Sequence, residues 1–141
     1  MSETPWDEFV TEARLEDLHE ASLQKHGGDP GTLKVGCVNA SLGAAWNAQA
    51  YLGEDDSTQK LLFAAHLLYY LARNHCYVDG NKRIAWLAAT EVLAAMDLTV
   101  DATVDEAEAF VTLVVEGTAD QSAVLEWVAE RLAAAFAVRP Q

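Results

Sequence analysis

Cysteine is nearly absent from this chain: its 141 residues contain two, Cys37 and Cys76. Two cysteines do not make the disulfide framework of a small secreted scaffold, so the expectation is reduced thiols in a cytoplasmic, soluble protein. Positive charge is scarce too, with nine Lys and Arg against 22 Asp and Glu and a formal net charge of −13. That balance argues against a general nucleic-acid binder, whose phosphate contacts need a broad basic face. It describes a well-solvated surface, with a basic partner as the functional alternative. No run approaches the about 18 apolar residues that a membrane span needs. The opening Met-Ser-Glu-Thr-Pro-Trp-Asp-Glu is acidic and has no basic signal region. Repeats and low-complexity tracts are missing. So are a Gly-x-x-x-x-Gly-Lys-Ser/Thr loop and a strand leading into Gly-x-Gly-x-x-Gly, which removes two common nucleotide-binding motifs.

What remains is rich in alanine and leucine and 51% hydrophobic, a composition that suits packed helices. The chain is long enough for one domain, 1–141, with a real core; residues 1–8 and 138–141 are expected to be flexible ends. The first helix is predicted over Thr11 to Lys25, with Leu15, Leu18 and Leu23 on its buried stripe, Thr11 as cap and Gly27-Gly28 as stop. His19 and His26 on it read as surface or core-edge histidines. Gly28 to Val35 is turn-rich, and reads equally as a structured connection or as a flap over a site.

A second helix is expected over about Cys37 to Ala48, then a polar loop at Gly53-Glu54-Asp55-Asp56, with Asp56 or Ser57 capping a third helix over Thr58 to Asn74. Leu61 to Leu71 is apolar nearly all round, the pattern of a helix at the centre of a bundle. His66 within it reads as a hydrogen-bonded core histidine. A fourth helix runs from near Gly80 to about Met96. Leu98 to Thr103 is the best strand candidate, but without a partner in the sequence it reads as a connection. Val104 to Glu116, stopped by Gly117, and Ser122 to Phe136, capped by Asp120 or Ser122, complete an all-α expectation of about six helices.

The chemistry concentrates between the third and fourth helices, in His75-Cys76-Tyr77-Val78-Asp79-Gly80-Asn81-Lys82-Arg83. Three of the nine basic residues lie between Arg73 and Arg83, with Asp79 the single acid among them. Free backbone N–H groups at a helix start face an anion with the positive end of the dipole. Gly80 lets a phosphate come close, while Lys82 and Arg83 add charge. Asp79 has two readings, a plain N-cap or a ligand for a Mg²⁺ ion that bridges phosphate oxygens. The metal reading is preferred here. His75 can take a proton from an attacking hydroxyl near neutral pH. Cys76 reads as a small buried filler rather than a reactive thiol, and Tyr77 and Val78 as plugs into the core.

These nine residues resemble the signature of the Fic/Doc superfamily, in the Doc form HxFx(D/N)(A/G)NKR. The Gly27-Gly28 turn with Gly31, the helix before His75 and the Glu116-Gly117 to Glu126-Trp127 segment extend the likeness over most of the chain. The resemblance implies a compact helical bundle with the active-site loop between two central helices, a single Fic/Doc-like domain. It also implies transfer of a phosphate-containing group to a protein hydroxyl. By position, His75 would be the general base and Asp79 the Mg²⁺ ligand, with Gly80, Asn81, Lys82 and Arg83 forming the phosphate-binding anion hole. For Doc toxins the donor would be ATP, the target a threonine of a translation elongation factor, and the neutralising partner a small antitoxin.

The departures discriminate. Cys76 replaces the proline of the Fic form and Tyr77 its phenylalanine. Trp86 stands where Fic nucleotidyl transferases place their final arginine, and Lys82 replaces a glycine; both changes favour phosphoryl over AMP transfer. Thr112-Leu-Val-Val-Glu116-Gly117 matches the pattern of Fic self-inhibitory helices, but the arginine that such a glutamate pairs with is missing. A helix end with a glycine stop accounts for the match. The alternatives to a Doc-like kinase are an AMP transferase and a catalytically silent binding module.

Overall fold

Asp56–Asn74 (α3) carries the run that is apolar on every side, and the fold is built around it. In the computed structural model, which describes residues 4–52 and 55–134, Leu62 to Leu68 are buried without a break. Such a helix can satisfy its surface only by being enclosed. It packs most extensively against α2 (Cys37–Leu52) and α4 (Asn81–Ala94), and also meets α5 (Val104–Glu116) and α6 (Gln121–Glu130). The remaining helix, α1 (Glu12–His26), lies on α4. The described residues thus form the expected all-α bundle of six helices.

Local signals set most boundaries. The Thr11 hydroxyl caps α1 by accepting from the Arg14 N–H, and Gly27 ends it at φ 83°. Thr103 and Glu106 form a reciprocal capping box at the start of α5, satisfying two otherwise unpaired donors. With no basic residue in its last turn, α5 is closed by Gly117 in the left-handed region. α3 is capped by Asp55 rather than by Asp56 or Ser57; Gly53 and Glu54 of the expected loop lie outside the described residues.

Three expectations are corrected. Leu98–Val100 is a strand (β1) after all, paired antiparallel with Leu132–Ala134 (β2), with Thr99 opposite Ala133. The sixth helix therefore ends at Glu130 instead of continuing to Phe136; residues 135 and 136, like the expected flexible end 138–141, lie outside the described residues. Leu132-Ala-Ala favours helix intrinsically, but backbone pairing with β1 overrides that weak preference. Near the N-terminus, residues 5–9 form turns that bury Trp6. Trp6 and Phe9 both lie against Trp46, which meets Phe63 of α3 edge-on at 5.1 Å. Residues 1–3 are outside the described residues. Finally, Cys37 and Cys76 are not reduced thiols but a disulfide, with Cα atoms 5.3 Å apart. It ties the start of α2 to the residue after His75.

Candidate active site

The loop between α3 and α4 is held by its neighbours on three sides. Asn81, the first residue of α4, turns its carboxamide back on the loop: Oδ1 accepts from the Tyr77 N–H at 3.0 Å and Nδ2 donates to the Tyr77 carbonyl at 2.8 Å. From α1, the Glu16 carboxylate accepts from the Tyr77 hydroxyl at 2.7 Å. Burial, followed by that bond, pushes the Tyr77 phenol above its usual range. The His19 ring stacks on Tyr77 at 3.6 Å and places Nε2 2.7 Å from the Asp79 carbonyl oxygen.

The third side is the turn-rich segment after α1. Thr32 pairs with Tyr77 as an antiparallel bridge. The Leu33 N–H donates to the Cys76 carbonyl, and the Val78 N–H to that of Gly31. Lys34 Nζ reaches the Asn74 carbonyl at 2.7 Å. These contacts tie the segment to the loop, as a structured connection or a flap would; it is called the flap below. Tyr77 plugs into the core as expected, but Val78 does not: it is 46% exposed.

His75 occupies the end of α3 in the left-handed region, φ 49° and ψ 59°. This conformation is uncommon for a residue with a Cβ. Its ring is exposed and makes no hydrogen bond among the described residues, so both nitrogens are open to a substrate. Asp79 is not a helix cap. The N-cap of α4 is Gly80, at φ 82°, with no side-chain cap. Asp79 Oδ2 accepts from the Asp29 N–H of the flap at 2.7 Å.

None of the backbone N–H groups from Gly80 to Arg83 meets an acceptor among the described residues. Four unspent donors at the positive end of a helix are the arrangement that an anion can occupy. Arg83 is exposed and unpaired among those residues, and Lys82 reaches only the Thr112 hydroxyl, at 3.5 Å. Arg73, counted with them in sequence, is committed elsewhere: its guanidinium donates to the Val115 carbonyl at 2.8 Å, at the end of α5.

His75, Asp79, Gly80, Asn81, Lys82 and Arg83 all border one cleft of about 810 Å³. Its other walls come from α1, with Ser22 and Lys25, and from α5, with Glu108 and Val111. Trp86 lines it too, set edge-on against Trp127 at 6.1 Å, so no cation occupies that place. Glu116 is not on the cleft and ends α5 just before Gly117.

A magnesium ion fits the donor set. One carboxylate beside these N–H donors suits its habit of taking one or two carboxylates plus phosphate oxygens and water. No group of three or more His, Cys, Asp or Glu among the described residues offers a fuller cage. Sequence reasoning put the six site residues together but missed how they are held. Asn81 spends its side chain on the loop and offers the anion only its N–H. His19, expected near the surface, is 5% exposed. Its spacing of three from Glu16 puts both on one helix face, a signal that becomes readable only once Tyr77 is known to lie beneath that face. His66 is the buried core histidine expected, with Nδ1 2.9 Å from the Leu62 carbonyl.

The sequence is similar to those of known proteins. The toxin Doc of Mycolicibacterium smegmatis is 40% identical over 95 residues, 66% of this chain and 72% of that protein. The protein kinase doc of Escherichia phage P1 is 32% identical over 76 residues, 54% of this chain and 58% of that protein. A family model described as the Fic/DOC family matches residues 9–93, from the N-terminal turn to the last turns of α4. The chain is a member of the Fic/Doc family.

Proposed function

We propose that this protein is a Doc-like toxin of a toxin–antitoxin system that transfers the γ-phosphate of ATP to a hydroxyl of a target protein. The observation that carries the reading is the row of N–H groups from Gly80 to Arg83 without an acceptor among the described residues, with Lys82 and Arg83 beside it and His75 open on the same cleft. Phosphoryl transfer asks little covalent chemistry of a protein; positioning and charge neutralisation dominate it. The N–H groups and the two cations would hold and neutralise the transferring phosphate. His75 would accept the proton of the attacking Ser or Thr hydroxyl. Asp79 would hold Mg²⁺ through the oxygen that the Asp29 N–H does not occupy. Magnesium bound there would offset charge on the phosphate oxygens.

The target proposed is a translation elongation factor in the cytoplasm, and the neutralising partner a small antitoxin protein; a basic antitoxin would suit a chain of net charge −13. No helix among the described residues is long and apolar enough to cross a membrane. The test is incubation of the purified protein with γ-labelled and, separately, α-labelled ATP and a cell extract. Label arriving from the γ position alone on a translation factor supports the reading. Label from the α position would replace it with AMP transfer. A wild-type chain that arrests growth on expression while His75→Ala does not would exclude a silent binding module.

A further inference from the structure

Gly80 sits at φ 82°, and glycine adopts positive and negative φ almost equally well. The Asp79–Gly80 peptide is therefore free, as far as Gly80 is concerned, to turn over. That freedom is dangerous in an anion site. In a trans peptide the C=O and N–H point to opposite sides, so a flip would replace the Gly80 donor by the Asp79 carbonyl oxygen, which repels phosphate. Something outside the loop has to fix the plane.

His19 is placed to do so. Its Nε2 lies 2.7 Å from the Asp79 oxygen. A carbonyl can only accept, so Nε2 carries the proton. A Cβ on Gly80 would lie 3.2 Å from the same nitrogen, so the approach of imidazole to peptide needs the missing side chain. The ring itself is locked by its 3.6 Å stack on Tyr77, nearly parallel at 13°. Tyr77 is in turn fixed by Glu16 and by the Asn81 carboxamide. With the Asp79 oxygen tied to α1, the Gly80 N–H is directed away from His19, and the Asp79 carboxylate leaves the backbone at a set angle toward Asp29.

We propose that His19 is the positioning residue of the anion site: its Nε2–H holds the Asp79–Gly80 peptide in the orientation that presents a donor, not an oxygen, to the bound phosphate. The inference rests on the phosphate-binding reading above, but its physical content is a peptide orientation that can be read without catalysis.

Two substitutions separate the ring from the bond. His19→Phe keeps an aromatic ring on Tyr77 and removes the donor. His19→Gln gives up the ring but can return an N–H donor from about the same reach. Affinity for ATP with Mg²⁺ is measured by calorimetry, kcat and KM by γ-label transfer, and the Asp79 carbonyl and Gly80 amide resonances by NMR. Loss of this part-buried hydrogen bond predicts about 10- to 100-fold weaker kcat/KM and nucleotide binding in His19→Phe. Its thermal unfolding should stay near that of the wild type, and His19→Gln should recover most of the binding. The two resonances should move in His19→Phe and stay in place in His19→Gln.

A His19→Phe protein that folds, binds and shows those resonances as the wild type does would overturn the proposal. So would a folded His19→Gln as impaired as His19→Phe, because the stack would then be what matters. Should His19→Phe not fold, the wild-type His19 tautomer decides, read from its ring nitrogens: a proton on Nδ1 with Nε2 bare overturns the inference, and the reverse supports it. Failure of the proposed kinase activity looks different. Wild type would then bind nucleotide without transferring label, or bind none, while the peptide resonances and the tautomer still report on His19.

Discussion

The carboxamide of Asn81 closes on both ends of one residue, accepting from the N–H of Tyr77 at 3.0 Å and donating to its carbonyl at 2.8 Å. This clamp folds the loop back over the start of α4, and it explains why an amide serves there and an acid would not. Asn81→Asp keeps the acceptor, loses the donor and puts a negative charge at the anion site. Asn81→Ala removes both bonds without adding charge. One or two buried groups left unpaired cost about 1–3 kcal/mol, which is roughly 3–12 °C in Tm for a domain of this size. Both variants should show a loss of that order by thermal unfolding. Only Asn81→Asp should also bind ATP much more weakly than its stability loss accounts for, and equal affinities in the two variants would count against an anion at this place.

His75 pays a conformational penalty for its position. A left-handed residue with a Cβ costs about 1–2 kcal/mol, and glycine is the usual occupant of a helix end in that region. Replacing His75 by Gly removes the strain, offset in part by the extra freedom of glycine in the unfolded chain, about 0.4–1 kcal/mol. The exposed ring, without a hydrogen bond or ring contact among the described residues, takes little packing with it when it goes. His75→Gly should therefore be as stable as the wild type or up to about 1 kcal/mol more so, while phosphate transfer falls by about 10²–10⁴, the range of a lost general base. Chemical denaturation beside the γ-label assay checks both halves. A destabilised His75→Gly would mean that the ring has packing partners.

The Cys37–Cys76 disulfide closes a loop with a sequence separation of 39. In the chain-entropy account a closure of that length stabilises the fold by about 4 kcal/mol. A cytoplasm would hold the pair as thiols, so the disulfide describes the oxidised protein. Unfolding with and without dithiothreitol should differ by roughly 10 °C or more in Tm, and Cys37→Ser with Cys76→Ser should match the reduced protein. Transfer activity should survive, because the loop is also held by Asn81, by His19 and by the Leu33 N–H on the Cys76 carbonyl. An unchanged Tm would show that the bridge does not form in solution.

Features written in local sequence were readable in advance. α5 spans Val104–Glu116 up to its Gly117 stop as expected, Thr11 and Gly27 bound α1, and the apolar run of α3 lies at the centre. The six site residues are contiguous, so one helix–loop–helix reading placed them together. What escaped depends on partners distant in the chain. β2 exists because β1 pairs with it, against the helical preference of Leu132-Ala-Ala. Nothing in the spacing of two cysteines reveals a Cα separation of 5.3 Å. His19 looked like an ordinary helix histidine because the carbonyl it holds is 60 residues away. Asn81 escaped for another reason: its partner Tyr77 is only four residues away, but pattern alone assigns the side chain to the anion.

Tyr77 sets an alkaline limit to stability. Its phenol is 2% exposed and donates to Glu16; burial first, then that bond and the Glu16 charge, raise its pKa above the ordinary 10.0. The neutral form is thus favoured in the folded protein. Below pH 10 both folded and unfolded chains keep the proton, and the contribution is complete. Above pH 10 the unfolded chain releases it while the folded chain does not, so stability falls by about 1.4 kcal/mol for each further pH unit. Denaturant titrations from pH 8 to pH 11.5 should show this decline. Tyr77→Phe, which keeps the ring under His19 but has no proton to lose, should remove one proton's worth of the slope at the expense of the Glu16 bond. Tyrosinate absorbance supplies the second readout: the wild type should hold one tyrosine back until the protein unfolds, and the variant none at this position. If Tyr77→Phe declines as steeply as the wild type, the alkaline limit belongs to other groups, and the Glu16–Tyr77 bond does not hold the phenol neutral.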